Sequence, residues 1–233
     1  MASRGARRLT IAGIVLAILV VLLVVADRVG AYVAERVAAG RIQTAEDLRN
    51  RPSVDVAGFP FLTQLAAGEF DQITVRASDV QVGTSGHRAT LTSLVTVLHH
   101  VNTSGGFHRV HARTLTATGS TTLSQVADAT GLPLHYAGHG RVAAQRSVTV
   151  LGRTLDATVS ARPVVRDGAL VFTDPRIDGG GSLLGEVSQQ LLSPFDVSVS
   201  LAGLPFDLRA DSVAVTGSTV TITLTGVDVT LTD

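Results

Sequence analysis

The chain of 233 residues has no cysteine, no tryptophan and no lysine, and a single methionine. Without cysteine there are neither disulfides nor thiolate metal sites, so the fold must be held by burial and hydrogen bonding alone. Aromatic residues are scarce as well, seven Phe and two Tyr, which leaves Val, Leu and Ala to supply the apolar surface. All 19 basic residues are arginines, set against 19 acids, and with so much Ala, Val, Gly and Thr this composition fits a GC-rich genome. The charge is unevenly placed. Arg4, Arg7 and Arg8 precede the first acid, Asp27, and the remainder carries 16 arginines against 19 acids, a net −3. That part lacks the concentrated basic surface that nucleic-acid binding needs, so no nucleic-acid partner is expected.

Signatures of catalysis are missing too. There is no Gly-x-Ser-x-Gly elbow, no His-Glu-x-x-His and no phosphate loop ending in Gly-Lys-Ser/Thr. His99, His100, His108 and His111 flank one expected hairpin, and His135 and His139 share a face if their segment is a strand. A zinc site needs three protein ligands and a supporting shell, and outer-face histidines are the simpler reading. No catalytic residue, metal site or cofactor is expected.

What the chain does have is one long apolar run. Residues Leu9 to Ala26 carry no charge and are followed by Asp27-Arg28. As a helix the run spans roughly 27 Å, close to the ~30 Å hydrocarbon core of a bilayer. The basic start puts the N-terminus in the cytoplasm and the rest outside. A cleaved secretory signal has the same basic start, and Val24-Val25-Ala26 or Val29-Gly30-Ala31 offers small residues for cleavage. The length of the run and the continuing pattern Val29, Val33, Val37 and Ala38 favour a retained anchor leading into a stalk helix that ends before Pro52. The expected organisation is a basic tail over 1–8, an anchor or signal over 9–26, a stalk over 27–47 and an extracytoplasmic domain over 48–233.

That domain reads as strands. Turn clusters at Gly83–Gly86, Thr103–Gly106, Leu151–Arg153, Asp167-Gly168 and Thr216–Ser218 separate β-branched runs. Ala89 to Asn102, Phe107 to Gly119 and Arg141 to Val150 are longer than the usual five or six residues. Alternation is mixed: in the first run Leu91, Val95, Val97 and Val101 share one parity, while Leu94 and Leu98 take the other. A sheet that packs on one side and lines a cavity on the other explains this, and so does a two-layer β-fold with threonine-rich outer faces. Short helices are expected at Leu62–Gly68, after the capping box Thr122-Leu123-Ser124-Gln125, and from Ser182 to Pro194. The last carries the apolar stripe Leu183, Leu184, Val187, Leu191 and Leu192.

The chain also echoes itself. Ala57-Gly58-Phe59-Pro60-Phe61 returns as Ala202-Gly203-Leu204-Pro205-Phe206, and Arg76–Val82 returns as Arg209–Val215. Glycine, an apolar residue and proline bend a chain sharply out of a strand. Two equivalent strand–bend–strand units are expected, with the phenylalanines in the core or at a cavity mouth.

The stretch Val54-Asp55-Val56-Ala57-Gly58-Phe59-Pro60-Phe61-Leu62-Thr63-Gln64-Leu65, then Gly68 and a strand to Val82, resembles the opening of the LmeA-like phospholipid-binding proteins of actinobacterial cell envelopes. The resemblance extends over most of the chain. It implies a membrane-associated envelope protein that binds phospholipid, with phosphatidylinositol-type lipid first, and that supports mannan elongation on lipoglycans beside an envelope mannosyltransferase. The expected fold is mainly β (α+β): a long antiparallel meander curved around one or two short helices, tubular, behind an N-terminal transmembrane helix. Candidate lipid contacts are Phe59, Pro60, Phe61, Leu62, Leu65, Leu184, Val187, Leu191, Leu204 and Phe206. The alternative function is a scaffold for an envelope glycosyltransferase, with a filled core and no lipid; a third, a hydrolase or metalloenzyme on the same fold, would need histidines or carboxylates clustered in a cleft.

Overall fold

The structure is a computed structural model and describes residues 4–84, 87–104, 109–130, 133–150, 153–179, 199–200 and 208–232. It opens with one unbroken helix, α1 (Arg4–Ala45), whose residues from Ile11 to Val25 are exposed all round. Further along, α1 has two faces. Asp27, Ala31 and Ala39 are buried, whereas Val29, Tyr32, Val33 and Val37 are exposed. The stripe that docks is therefore the small-residue one, because alanine lets the helix lie close against β1 (Ser53–Ala57). The valines anticipated as the continuing apolar stripe face away from it. Residues 27–39 are thus part of the folded body, not a free spacer.

Two open antiparallel sheets follow. The first has the order β1-β2-β3-β4-β11-β10, with β2 (Glu69–Thr84), β3 (His87–Ser104), β4 (Arg109–Thr122), β11 (Thr219–Thr232) and β10 (Arg209–Thr216). The second has the order β5-β6-β7-β8-β9, with β5 (Leu134–Tyr136), β6 (Val142–Val150), β7 (Arg153–Arg166), β8 (Ala169–Gly179) and β9 (Val199–Ser200). The expected hairpins form. Pairs Thr84↔His87, Ser104↔Arg109, Val150↔Arg153, Arg166↔Ala169 and Thr216↔Thr219 close them. At Asp167-Gly168 both turn residues have positive φ (53° and 72°), the geometry of a two-residue hairpin turn.

The mixed alternation of β3 has a local cause. Asp71 on β2, His100 on β3, Arg113 on β4 and Asp228 on β11 occupy one row across four strands, and pairing is interrupted at that row in each. His100 and Asp228 take positive φ (51° and 53°), a conformation in which His and Asp are enriched among non-glycine residues. On either side of the row, Phe70, Leu98, Val101, Ala112, Leu115 and Val229 join one buried cluster. Leu98 and Val101 differ in parity yet share a face because the kink at His100 resets it. The threonines and serines of β4 that alternate with Leu115, Ala117 and Gly119 lie on the outer face.

The second core lies between the sheets. Val142, Ala144, Ala157, Val159 and Ala161 of β6 and β7 pack on Val215, Val220 and Leu123. Leu123 opens α3 (Leu123–Thr130), and the capping box is made in both directions: the Gln125 N–H donates to Thr122 Oγ1 and the Thr122 N–H donates to Gln125 Oε1, each at 3.2 Å.

The internal echo does not produce equivalent units. β1 and β2 are neighbours in one sheet, whereas β9 lies in the second sheet and β10 in the first, so the later copy crosses between layers. Its bend, 202–206, and the expected helix Ser182–Pro194 fall outside the described residues.

Candidate lipid-contact site

The site is built where α1 leaves its apolar run. β1 lies alongside α1 with the opposite sense: the Arg51 guanidinium donates to the Arg36 carbonyl at 2.6 Å, the Val56 N–H to Glu35 Oε1 at 3.0 Å, and the Arg28 guanidinium to the Gly58 carbonyl at 3.4 Å. β1 therefore carries the chain back toward the apolar part of α1, where it turns. Gly58 makes the turn at φ 107°, a backbone conformation that side chains rarely adopt, and a Cβ there would also displace the Gln64 amide, so the turn favours glycine. The Phe59–Pro60 peptide is cis, and α2 (Phe61–Ala67) starts at once. It ends at Gly68 in the left-handed region, whose N–H caps the Gln64 and Leu65 carbonyls.

The start of α2 has no capping side chain of its own. Asp27 supplies one from 35 residues earlier: its buried Oδ1 accepts from the Leu62 N–H at 2.8 Å. Oδ2 pairs with Arg28 at 3.1 Å. Gly30 completes the junction, with the Leu62 side chain packed against its bare Cα. The first acid after the apolar run thus fastens α2 to α1. Replacing it with alanine leaves a helix N-terminus uncapped and should cost about 1–2 kcal/mol, read as a lower thermal midpoint in the full-length protein.

The bend divides the candidate residues. Phe61 is 2% exposed and packs on Phe70, ring centroids 6.2 Å apart, in the cluster with Ala31, Leu98 and Val101. Phe59, Leu62 and Leu65 point outward, 61%, 41% and 37% exposed, and Pro60 is exposed as well. The Arg28 guanidinium lies over the Phe59 ring at 5.1 Å. Leu184, Val187, Leu191, Leu204 and Phe206 lie outside the described residues. Above Phe61 the inner face of the first sheet continues with Ile73, Leu94, Leu208 and Leu224, half-buried and apolar.

The polar candidates lie apart from this site. His111 Nε2 is 3.9 Å from Asp228 Oδ1, both on the outer face, and among the described residues no group of three or more His, Cys, Asp or Glu could hold a metal ion. A buried polar centre that sequence reasoning missed lies in the second sheet. Arg141, 5% exposed, pairs with Asp174 Oδ2 at 2.7 Å, donates to the Ser160 carbonyl at 3.0 Å, and also donates to the Asp174 carbonyl. The hydrogen bond from Arg141 holds the Asp174 carboxyl below the usual carboxylate range against partial desolvation, and Arg176 adds its charge. With every one of these donors spent on backbone and carboxylate, this is a brace between β7 and β8.

No curated protein and no solved structure matches this chain. One family does: the model of LmeA-like phospholipid-binding proteins matches residues 25–225, a stretch that begins just before Asp27, takes in the bend, α3 and the second sheet, and ends within β11 of the first. An apolar bend beside a half-buried apolar sheet face agrees with a lipid-binding role. The chain belongs to the LmeA-like phospholipid-binding family.

Proposed function

We propose that this protein is a membrane-anchored, extracytoplasmic phospholipid-binding protein of the cell envelope, taking phosphatidylinositol-type lipid and supporting mannan elongation on lipoglycans beside an envelope mannosyltransferase. Family membership carries the phospholipid part. The anchoring part is supported by α1, exposed from Ile11 to Val25 within the uncharged run Leu9–Ala26, whose roughly 27 Å approaches the thickness of the hydrocarbon core. Extracytoplasmic placement is supported by the three arginines before the run.

The acyl chains would lie on the inner face of the first sheet above Phe61, with Phe59, Leu62 and Leu65 at its mouth. Leu184, Val187, Leu191, Leu204 and Phe206, outside the described residues, are proposed as further lipid contacts. Each buried methylene contributes about 0.8 kcal/mol, so affinity needs no catalytic group and no cofactor. Binding, not turnover, is the proposed activity.

Lipid extraction from the full-length protein, purified in a non-phospholipid detergent, tests the headgroup. The expected result is phosphatidylinositol-type lipid enriched over its share of the source membrane. A retained lipid pool with the composition of the bulk membrane would remove the headgroup preference and, with it, the link to mannan elongation.

A further inference from the structure

We propose that Phe59, Leu62 and Leu65 form an edge that seats the α2 end of the domain in the lipid leaflet where the apolar run of α1 ends. The inference rests on the anchoring reading above and adds to it how the domain stands on the membrane. Single exposed apolar residues are ordinary on any protein surface. Here their placement is not scattered: outside α1, five large apolar side chains are exposed among the described residues, and three of them are Phe59, Leu62 and Leu65.

Their height is set by α1. The Leu62 N–H is bonded to Asp27, the Leu62 side chain packs on Gly30, and Phe59 stacks on Arg28. Residues 27–30 follow the apolar run directly and rise only about 6 Å beyond it. That is the headgroup and acyl boundary, where interfacial segments bury their apolar faces about 5–10 Å deep. An arginine lying on an aromatic ring suits this depth, with the ring toward the acyl chains and the guanidinium reaching phosphate. The consequence for function is a route: a lipid could pass from the leaflet along Phe59 toward the sheet above Phe61 without crossing water.

The absence of cysteine makes the test direct, because a single introduced cysteine carries the only spin label. Full-length F59C, L62C and L65C variants are labelled and reconstituted in phosphatidylcholine–phosphatidylglycerol vesicles, with I18C marking the apolar run and R49C marking the far end of α1. Arg49 is exposed and lies beyond Ala45, which is roughly 27 Å up the helix from Asp27. The readout is relaxation of each label by oxygen against a water-soluble nickel complex. Expected is oxygen-dominated relaxation at I18C, nickel-dominated relaxation at R49C, and a several-fold excess of oxygen over nickel at the three edge positions, at a depth between the two. Nickel-dominated relaxation at all three edge positions, with I18C still in the bilayer, overturns the seating and leaves the anchor. Edge labels reached by neither reagent indicate burial against protein, another copy included, and also overturn it. Nickel access at I18C overturns both the seating and the anchoring reading. All three edge sites are exposed, so labelling them leaves the buried core in place; where one variant does not fold, the remaining edge positions are read in its stead.

Discussion

Phe61→Ala is expected to lower stability by about 3–5 kcal/mol, the range for truncating a buried phenylalanine. In a domain of this size that is a fall in thermal midpoint of roughly 6–20 °C. Phe61 has almost no exposed surface, and its ring is the piece of α2 that Phe70, Leu98 and Val101 close over. Its loss leaves a cavity bounded by backbone that α1 and the kinked strands hold in place, so the site cannot collapse to fill it. Phe59→Asp is the contrasting change. Phe59 is mostly exposed, so folding stability should change by less than about 1 kcal/mol, as with surface substitutions. Its lipid contact should be lost, together with the stacking of Arg28 on its ring. Circular dichroism reads both midpoints, which matters in a chain without tryptophan. A shift below 1 kcal/mol for Phe61→Ala would contradict the placement of that ring in the core.

Arg141→Ala should cost about 2–4 kcal/mol, because it removes a buried charge-assisted brace and strands the backbone carbonyls it served. The Ser160 and Asp174 carbonyls both accept from this guanidinium, and they flank the irregularity between Ser160 and Arg162 where β7 and β8 shift register. The pair also gives stability a pH dependence of known sign. The Asp174 pKa is lowered in the folded protein, so its contribution is complete above the unfolded value near 3.9 and is lost as pH falls through the lower folded value. Asp174→Asn should flatten that acid limb of the stability–pH curve. An acid limb unchanged in Asp174→Asn would mean that other carboxylates set it.

Much of the architecture is readable along the chain because hairpins and caps are local. Asp167-Gly168 and Thr216–Ser218 are turn chemistry, and Thr122 with Gln125 is a cap whose two halves are three residues apart. The parts that were not legible depend on distant partners. Asp27 reads as the charge that ends an apolar run, and nothing nearby reveals that it caps a helix 35 residues away. Val29, Val33 and Val37 look like a packing stripe, but close approach to β1 selects the alanines on the other side. His100 and Asp228 flip the parity of long strands, and their alignment in one row emerges only from the pairing register. The two phenylalanines of the bend look equivalent in sequence, yet the turn at Gly58 sends Phe61 inward and Phe59 outward.

On the proposed function the β domain itself, and not only the apolar helix, holds phospholipid. The direct measurement is photo-crosslinking of the full-length protein in vesicles with a phospholipid carrying a diazirine on its acyl chain, followed by peptide mapping. Labelled peptides are expected from the bend and the inner face of the first sheet, among residues 54–98 and 208–224, in addition to those of α1. Labelling confined to residues 4–45 would contradict it.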